Sequence, residues 1–120
     1  MSSFEDMLSL TDQVVVVMEL RAFQRHMDEL YGMKDRRRGV EKTLLWLAEE
    51  IGELFRSVRK GKKEEIEEEF ADVVAWIFSA ANVLGVDLQE AVLRKYGVAC
   101  PKCGKKPCEC VEGEWEEERS

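Results

Sequence analysis

The sequence has few residues that interrupt helices, with only two prolines and eight glycines among its 120 residues. Both prolines lie beyond residue 100, so the chain before them has room for long helices. The sequence also lacks the run of about 18 to 20 apolar residues that a membrane-spanning helix requires. Its first residues lack the basic start and long apolar stretch of a secretory signal. We therefore expect a soluble, cytoplasmic helical protein with no membrane association.

An excess of positive charge is absent as well. The formal net charge of −7 disfavours general binding to nucleic acids and anionic membranes, both of which attract basic surfaces. Six glutamates and one arginine between residues 109 and 120 account for most of that charge. The rest of the chain is nearly neutral, so an anionic substrate is not excluded.

Apolar residues at helical spacing predict four helices. The first runs from about 11 to 31, capped by Thr11 or Asp12, and a glycine-bounded loop at 32–39 follows it. The other helices are predicted at about 40–59, 63–84 and 88–96. The chain then divides into a helical domain at 1–97, a cysteine knuckle at 98–110 and an acidic, disordered tail at 111–120.

Acidic residues on the second and third predicted helices are spaced by one helical turn. Glu50 and Glu53 form one i, i+3 pair, Glu69 and Asp72 form another, and Glu49 precedes the first. If the two helices pack antiparallel, the pairs face each other and repel unless they hold a hard divalent cation such as Mg²⁺. Glutamates on helices are more often an ordinary solvated face. Here, however, Glu50 and Glu53 lie within the apolar stripe, which favours a metal site.

The motif EEIGE at 49–53, followed by EFAD at 69–72, resembles the EExxE…ExxD signature of the MazG family of nucleoside triphosphate pyrophosphohydrolases. The flanking sequence agrees, from RG at 38–39 through DVVAWIFSAANVLGVDLQEAV to KY at 95–96. The resemblance implies an all-α, MazG-like helical bundle. It also implies Mg²⁺-dependent hydrolysis of an NTP or dNTP to the monophosphate and pyrophosphate, which removes unwanted nucleotides from the cellular pool. A homodimer or homotetramer is expected, because association completes the small core and, in MazG-like proteins, helps to form the substrate pocket.

Carried over by position, the resemblance assigns roles to individual residues. Glu49 becomes either a further metal ligand or the group that orients the attacking water. From their positions alone, Arg38 either binds the triphosphate through its guanidinium or belongs to an exposed basic loop, and Lys95 near the end of the fourth helix is a candidate phosphate contact. Trp46 either stacks on the base or packs in the core. The Mg²⁺ ligands are Glu50, Glu53, Glu69 and Asp72.

Four cysteines, Cys100, Cys103, Cys108 and Cys110, follow the spacing C-x2-C-x4-C-x-C. In a cytoplasmic protein such a cluster favours a structural Zn²⁺ site over disulfides. CPKCG resembles half of a zinc ribbon, whereas the single residue between the last two cysteines departs from that pattern, and free or oxidised thiols are the alternative. A second hypothesis for the whole chain is a non-catalytic helical module whose zinc knuckle binds a partner protein or nucleic acid.

Overall fold

The computed structural model describes residues 19–111, in which the regular elements are four α-helices and no strand occurs. The helices are α1 (Leu20–Arg38), α2 (Val40–Lys60), α3 (Lys63–Leu84) and α4 (Leu88–Tyr96). Helices α2 and α3 pack extensively against each other as a hairpin, α1 lies against α3, and α4 packs on α1. The predicted all-α fold is confirmed.

Short glycine turns join the first three helices. Gly39 alone separates α1 from α2, with φ 87° and ψ 161°, and Gly61 ends α2 with φ 78°. Residues with a side chain are disfavoured at these positive φ values, whereas glycine is not. The chain can therefore reverse within one or two residues, and the predicted second, third and fourth helices are confirmed to within one residue at their ends.

The predicted loop at 32–39 is wrong, because α1 continues without a break to Arg38. Gly32 is not among the glycines with positive φ; it is a buried helical residue. A Cβ atom added there would lie 2.3 Å from Asp28 Oδ1 and 2.7 Å from Arg36 Nη1. The missing side chain thus lets Arg36 cross Gly32 and pair with Asp28 at 2.9 Å, so this glycine serves packing and does not end the helix.

Two of the sequence predictions, a helix start and a disordered tail, concern the ends of the chain, which lie largely outside the described residues. The predicted helix start at Thr11 or Asp12 lies outside the described residues, as does most of the acidic tail. Within the described part, α1 begins at Leu20, after Glu19 in an extended conformation with φ −76° and ψ 158°.

The core of the described region is small. Only four apolar residues of residues 19–111 are buried: Met27, Phe78, Ala80 and Ala81. Phe23 packs edge-to-face on Phe78 with ring centroids 4.9 Å apart, which joins α1 to α3. In contrast, Leu45, Phe55 and Phe70 are 68%, 64% and 53% exposed. A single copy therefore leaves an apolar face on α2 and α3 uncovered.

The corner between α3 and α4 is fixed to α1 by hydrogen bonds. Gln24 Nε2 donates to the carbonyl of Val86 at 2.6 Å, and Gln24 Oε1 accepts from the Leu88 amide at 3.0 Å. Asn82 Nδ2 donates to the Gln24 carbonyl at 3.2 Å, so this polar side chain of α3 also bridges to α1. No described helix alone has the length and apolar composition to cross a membrane; only α3 and α4 together, bent by 105°, meet that test.

Candidate metal centres and adjoining cavity

Helices α2 and α3 bring three carboxylates together in an acidic cluster of Glu50, Glu69 and Asp72. One oxygen from each residue lies within 4.8 Å of the other two. Glu69 and Asp72 are one turn apart on α3, and both face Glu50 of α2 across the hairpin. Glu50 and Glu69 are half-buried, whereas Asp72 is exposed. These oxygens could hold a metal ion.

Two features indicate that the acidic cluster has too little positive charge around it. The Oε2 atom of Glu69 is buried and accepts no hydrogen bond from the described residues. The pKa of Glu50 is raised, first by burial and then by its hydrogen bond with Glu69 and the charges of Asp72, Glu69 and Glu53. A cation bound between the three carboxylates would relieve both conditions.

The structure does not bring the other two predicted acidic residues into the cluster. Glu53 accepts two hydrogen bonds from Arg56 Nη1, at 2.9 and 3.2 Å, and its side chain is 44% exposed. Its charge still contributes to the raised pKa of Glu50. Glu49 is exposed and lies outside the cluster.

A cavity of about 210 Å³ lies between α1 and α3, next to the acidic cluster. Asp72 belongs to both, because it lines the cavity and contributes to the cluster. The two features therefore form one continuous site. The residues that line the cavity are Met27, Tyr31, Asp35, Arg38, Asp72, Ala75, Trp76 and Ser79.

Arg38 and Trp46 meet at Trp76. Arg38 Nη1 donates to Asp35 Oδ1 at 2.8 Å and to Thr43 Oγ1 at 3.3 Å, and its guanidinium lies 4.8 Å from the Trp76 ring centroid. Trp46 stacks on Trp76 with ring centroids 6.2 Å apart and an interplanar angle of 15°, and its side chain remains 48% exposed. Arg38 thus lines the cavity with its charge already paired, and Trp46 packs at the rim of the same aromatic cluster.

Asp35 was missed as a functional candidate because the sequence places it in an apparent loop. It is 1% exposed, although it carries a charge. Its spacing contained a usable signal: Met27, Tyr31, Asp35 and Arg38 follow one another at intervals of four, four and three residues. These intervals place all four residues on one face of a helix. A continuous α1 would therefore have predicted Asp35 and Arg38 on the packed face.

Lys95 lies on α4, which packs on α1, whereas the acidic cluster lies on the hairpin of α2 and α3. It lines a cavity of about 590 Å³ made only by residues 95–108, and no residue of α2 or α3 contributes to that cavity. Its ammonium group lies 5.3 Å from the ring centroid of Tyr96. The structure of one protomer therefore does not bring Lys95 to the carboxylates.

The four cysteines form a second cluster, and their sulfur atoms all lie within 4.8 Å of one another. The Cys100 and Cys110 sulfurs are 3.7 Å apart, and those of Cys103 and Cys108 are 3.9 Å apart. Backbone amides also point at the sulfurs: Glu109 donates to Cys103 Sγ at 3.4 Å and Cys110 donates to Cys108 Sγ at 3.3 Å. This arrangement could hold a metal ion with sulfur ligands.

The thiols of this cluster differ in acidity. Backbone N–H groups of Cys103 and Lys102 lower the pKa of Cys100 to about 6. The hydrogen bond with Cys108, followed by desolvation, raises the pKa of Cys110 to about 12. At neutral pH the Cys100 thiol therefore ionises readily, whereas the Cys110 thiol resists ionisation. Several thiolates so close together repel one another unless a cation lies between them.

Comparison with protein-family models matches residues 38–104 to the MazG nucleotide pyrophosphohydrolase domain. The match covers more than half of the chain and includes the acidic cluster and two of the four cysteines. A search of curated proteins finds no match. The matched range and the all-α fold lead to one conclusion: the chain belongs to the MazG nucleotide pyrophosphohydrolase family.

Proposed function

We propose that the protein hydrolyses a nucleoside or deoxynucleoside triphosphate to the monophosphate and pyrophosphate with the help of Mg²⁺. The observation that carries this proposal is the convergence of Glu50, Glu69 and Asp72 from two helices within 4.8 Å. Membership of the MazG family supports a nucleotide substrate and this type of bond cleavage.

The acidic cluster suits Mg²⁺ in particular. All three groups offer hard carboxylate oxygens, and one of these, Glu69 Oε2, is buried without a hydrogen-bond donor among the described residues. Mg²⁺ retains several waters and requires only a few protein oxygens, so three carboxylates suffice. When bound, it would neutralise phosphate oxygens and lower the pKa of a coordinated water.

The remaining acidic residues have supporting roles in this proposal. Glu53 would become a fourth ligand once Arg56 turns away from it, and the freed guanidinium would then be available to the triphosphate. Glu49 is exposed beside the cluster, where it would orient the attacking water or complete the ligand set.

The test is a panel of NTPs and dNTPs incubated with Mg²⁺ while pyrophosphate and orthophosphate are measured separately. We expect equimolar monophosphate and pyrophosphate from at least one nucleotide, and no product when EDTA replaces Mg²⁺. Release of orthophosphate alone would contradict the proposed position of bond cleavage. No hydrolysis of any nucleotide would contradict the proposal and favour the non-catalytic module.

We also infer that two or more copies associate through the apolar face of α2 and α3. Phe55, Val58 and Phe70 line an open groove of about 800 Å³, and each is at least half exposed in a single copy. Exposed apolar groups of this size favour burial against a second surface. A homodimer or homotetramer would supply that surface and complete the core.

For the cysteine cluster we propose Zn²⁺ in a structural role. A Zn–S bond of about 2.3 Å places the sulfurs of a regular tetrahedron about 3.8 Å apart. The two separations of 3.7 and 3.9 Å agree with that edge length. Four thiolates leave no open coordination position, and the lysines at 102, 105 and 106 offset the two negative charges that remain after Zn²⁺ binds.

The proposed zinc would serve as the core of its segment. None of residues 98–111 is buried, so apolar packing contributes little to holding this part of the chain together. Two hydrogen bonds between backbone groups tie the segment internally: the Cys100 amide donates to the Lys105 carbonyl at 3.1 Å, and the Gly104 amide donates to the Cys100 carbonyl at 2.8 Å. Metal ligation is the usual source of folding energy in such small segments.

Replacing Cys103 with serine is expected to remove the zinc and unfold residues 98–110 without changing the melting temperature of the helical bundle. Elemental analysis would fall from about one zinc per chain to less than about 0.1, and amide exchange in the segment would accelerate. Lys106→Ser, in the same segment but outside the ligand set, should retain the metal. Full zinc occupancy in Cys103→Ser, or a metal-free wild type with two disulfides, would contradict this prediction.

A further inference from the structure

We propose that the cavity between α1 and α3 binds the base of the nucleotide, and that Asp35 selects a base that carries an exocyclic amino group. This inference rests on the proposed function, since that function places the triphosphate at the acidic cluster. It adds the class of base and the residue that recognises it.

Asp35 is the residue on which the inference depends. It is 1% exposed and lines the cavity. Its Oδ1 atom accepts from Arg38 at 2.8 Å, whereas its Oδ2 atom is buried and accepts no hydrogen bond from any described residue. Arg38 pairs with this carboxylate at 2.8 Å, and a carboxylate can only accept hydrogen bonds. A buried, charged acceptor without a donor is unfavourable, and an N–H group of a ligand would satisfy it.

The charges around the cavity indicate which end of a nucleotide it accepts. Asp35 and Asp72 both line it, so a phosphate inside would be repelled, and the guanidinium of Arg38 is already shared between Asp35 and Thr43. The aromatic rings of Tyr31 and Trp76 line the same space and offer flat apolar surfaces. A planar, neutral heterocycle fits this lining better than an anion does.

The size and position of the cavity agree with a base. Its volume of about 210 Å³ is below the roughly 300 Å³ at which pockets for whole small-molecule ligands begin. It therefore suits one part of a nucleotide. Because Asp72 belongs to both the cavity and the acidic cluster, a base in the cavity leaves its phosphates beside the carboxylates.

The free oxygen of Asp35 distinguishes amino from oxo bases. Cytosine presents an N4 amino donor and adenine an N6 amino donor, whereas uracil and thymine carry the O4 carbonyl where cytosine has its amino group. A carbonyl oxygen facing Asp35 Oδ2 would be repelled. Sites built around a buried polar group reject a ligand that leaves that group unpaired by large factors.

The experiment compares matched nucleoside monophosphates by equilibrium binding without Mg²⁺, using the fluorescence of Trp46 and Trp76 beside the cavity. The pairs are CMP with UMP, AMP with IMP and GMP with XMP, each in ribose and deoxyribose form. For at least one pair we expect the wild type to bind the amino member at least about 30-fold more tightly.

The variant Asp35→Asn should reduce that preference to less than about threefold, because an amide can donate to a carbonyl as well as accept from an amino group. Asp28→Asn is the matched control: it also changes an aspartate of α1 that pairs with an arginine, but Asp28 does not line the cavity. It should keep the wild-type preference. Circular dichroism checks that both variants retain their helices.

Equal affinity of the wild type for the amino and oxo members of every pair would overturn the inference, even if Asp35→Asn does not fold. An undiminished preference in folded Asp35→Asn would overturn it as well. These failures are distinct from failure of the proposed function. Pyrophosphate release without any base preference that depends on Asp35 would contradict only the assignment of the base to this cavity. Asp35-dependent binding without hydrolysis removes only the proposed reaction.

Discussion

Replacing Glu50 with glutamine is expected to lower Mg²⁺-dependent pyrophosphate release about 1,000-fold while raising the melting temperature of the metal-free protein by a few degrees. The loss of activity follows from the loss of one of three converging carboxylates, and a 1,000-fold decrease corresponds to about 4 kcal/mol of activation free energy. The gain in stability follows because the neutral amide removes a half-buried charge that Glu69 and Asp72 repel.

The gain in stability should depend on pH in a defined direction. The pKa of Glu50 in the folded protein is raised above its usual value, mainly by burial. Its protonated form therefore favours folding below the unfolded-state pKa, and this contribution is lost as the pH rises through the raised folded-state pKa. The melting temperatures of wild type and Glu50→Gln should differ most at neutral pH and converge below about pH 4.

Pyrophosphate assays and thermal unfolding with and without Mg²⁺ measure both effects. Mg²⁺ should raise the melting temperature of the wild type but not that of Glu50→Gln, because ligand binding stabilises only a folded state that contains the site. The exposed Glu67 of α3 provides a matched control, since Glu67→Gln changes a glutamate outside the cluster. Activity of Glu50→Gln within tenfold of the wild type would exclude this residue as an essential metal ligand.

Substituting Phe55 with aspartate is expected to convert the proposed oligomer into monomers and to raise its dissociation constant at least about 1,000-fold. Phe55 is 64% exposed in one copy and lies in the apolar groove with Val58 and Phe70. Burying a phenylalanine side chain contributes about 1.5–3 kcal/mol, and a symmetric interface loses that contribution from each copy. Three powers of ten in the dissociation constant correspond to about 4 kcal/mol, which two such losses supply.

Size-exclusion chromatography with light scattering measures this change directly across a range of protein concentrations. Val98→Asp is the control, because Val98 is a more exposed apolar residue, at 87%, that lies in the cysteine segment and not on α2 or α3. It should leave the mass unchanged. A wild type that remains monomeric at high concentration would contradict the inferred association, and an unchanged oligomer in Phe55→Asp would place the interface on another face.

The sequence was sufficient to predict the helices that carry the acidic cluster. Glycines at the ends of α2 and α3 and the i, i+3 spacing of Glu69 and Asp72 are local signals, and local signals define helix ends and faces. Glu50 also lies in the cluster. Glu53 does not, because Arg56, three residues away on the exposed side of α2, competes for its carboxylate. Such competition depends on side-chain conformation, which spacing alone does not determine.

The cavity and its buried aspartate could not be predicted by the same reasoning. Gly32 and the basic residues after it are typical of a loop, yet α1 continues through them, and the missing side chain of Gly32 leaves room for Arg36 to pair with Asp28. Once the helix is continuous, Asp35 and Arg38 fall on the face that packs against α3. Their burial is a tertiary property, because Asp35 is tolerated there through its pairing with an arginine from the same helix.

Asp72 is shared by the acidic cluster and the cavity, and this affects which residues can change during evolution without disturbing the carboxylates. The cluster draws its other members from α2 and α3, whereas the cavity draws Asp35 and Tyr31 from α1. Under the proposed base assignment, substitutions at Asp35 or Tyr31 can therefore alter which nucleotide is accepted while Glu50 and Glu69 stay in place. Helix α1 contributes to the cavity alone, whereas α3 contributes to both the cavity and the cluster, so changes on α1 are the ones that leave the carboxylates untouched.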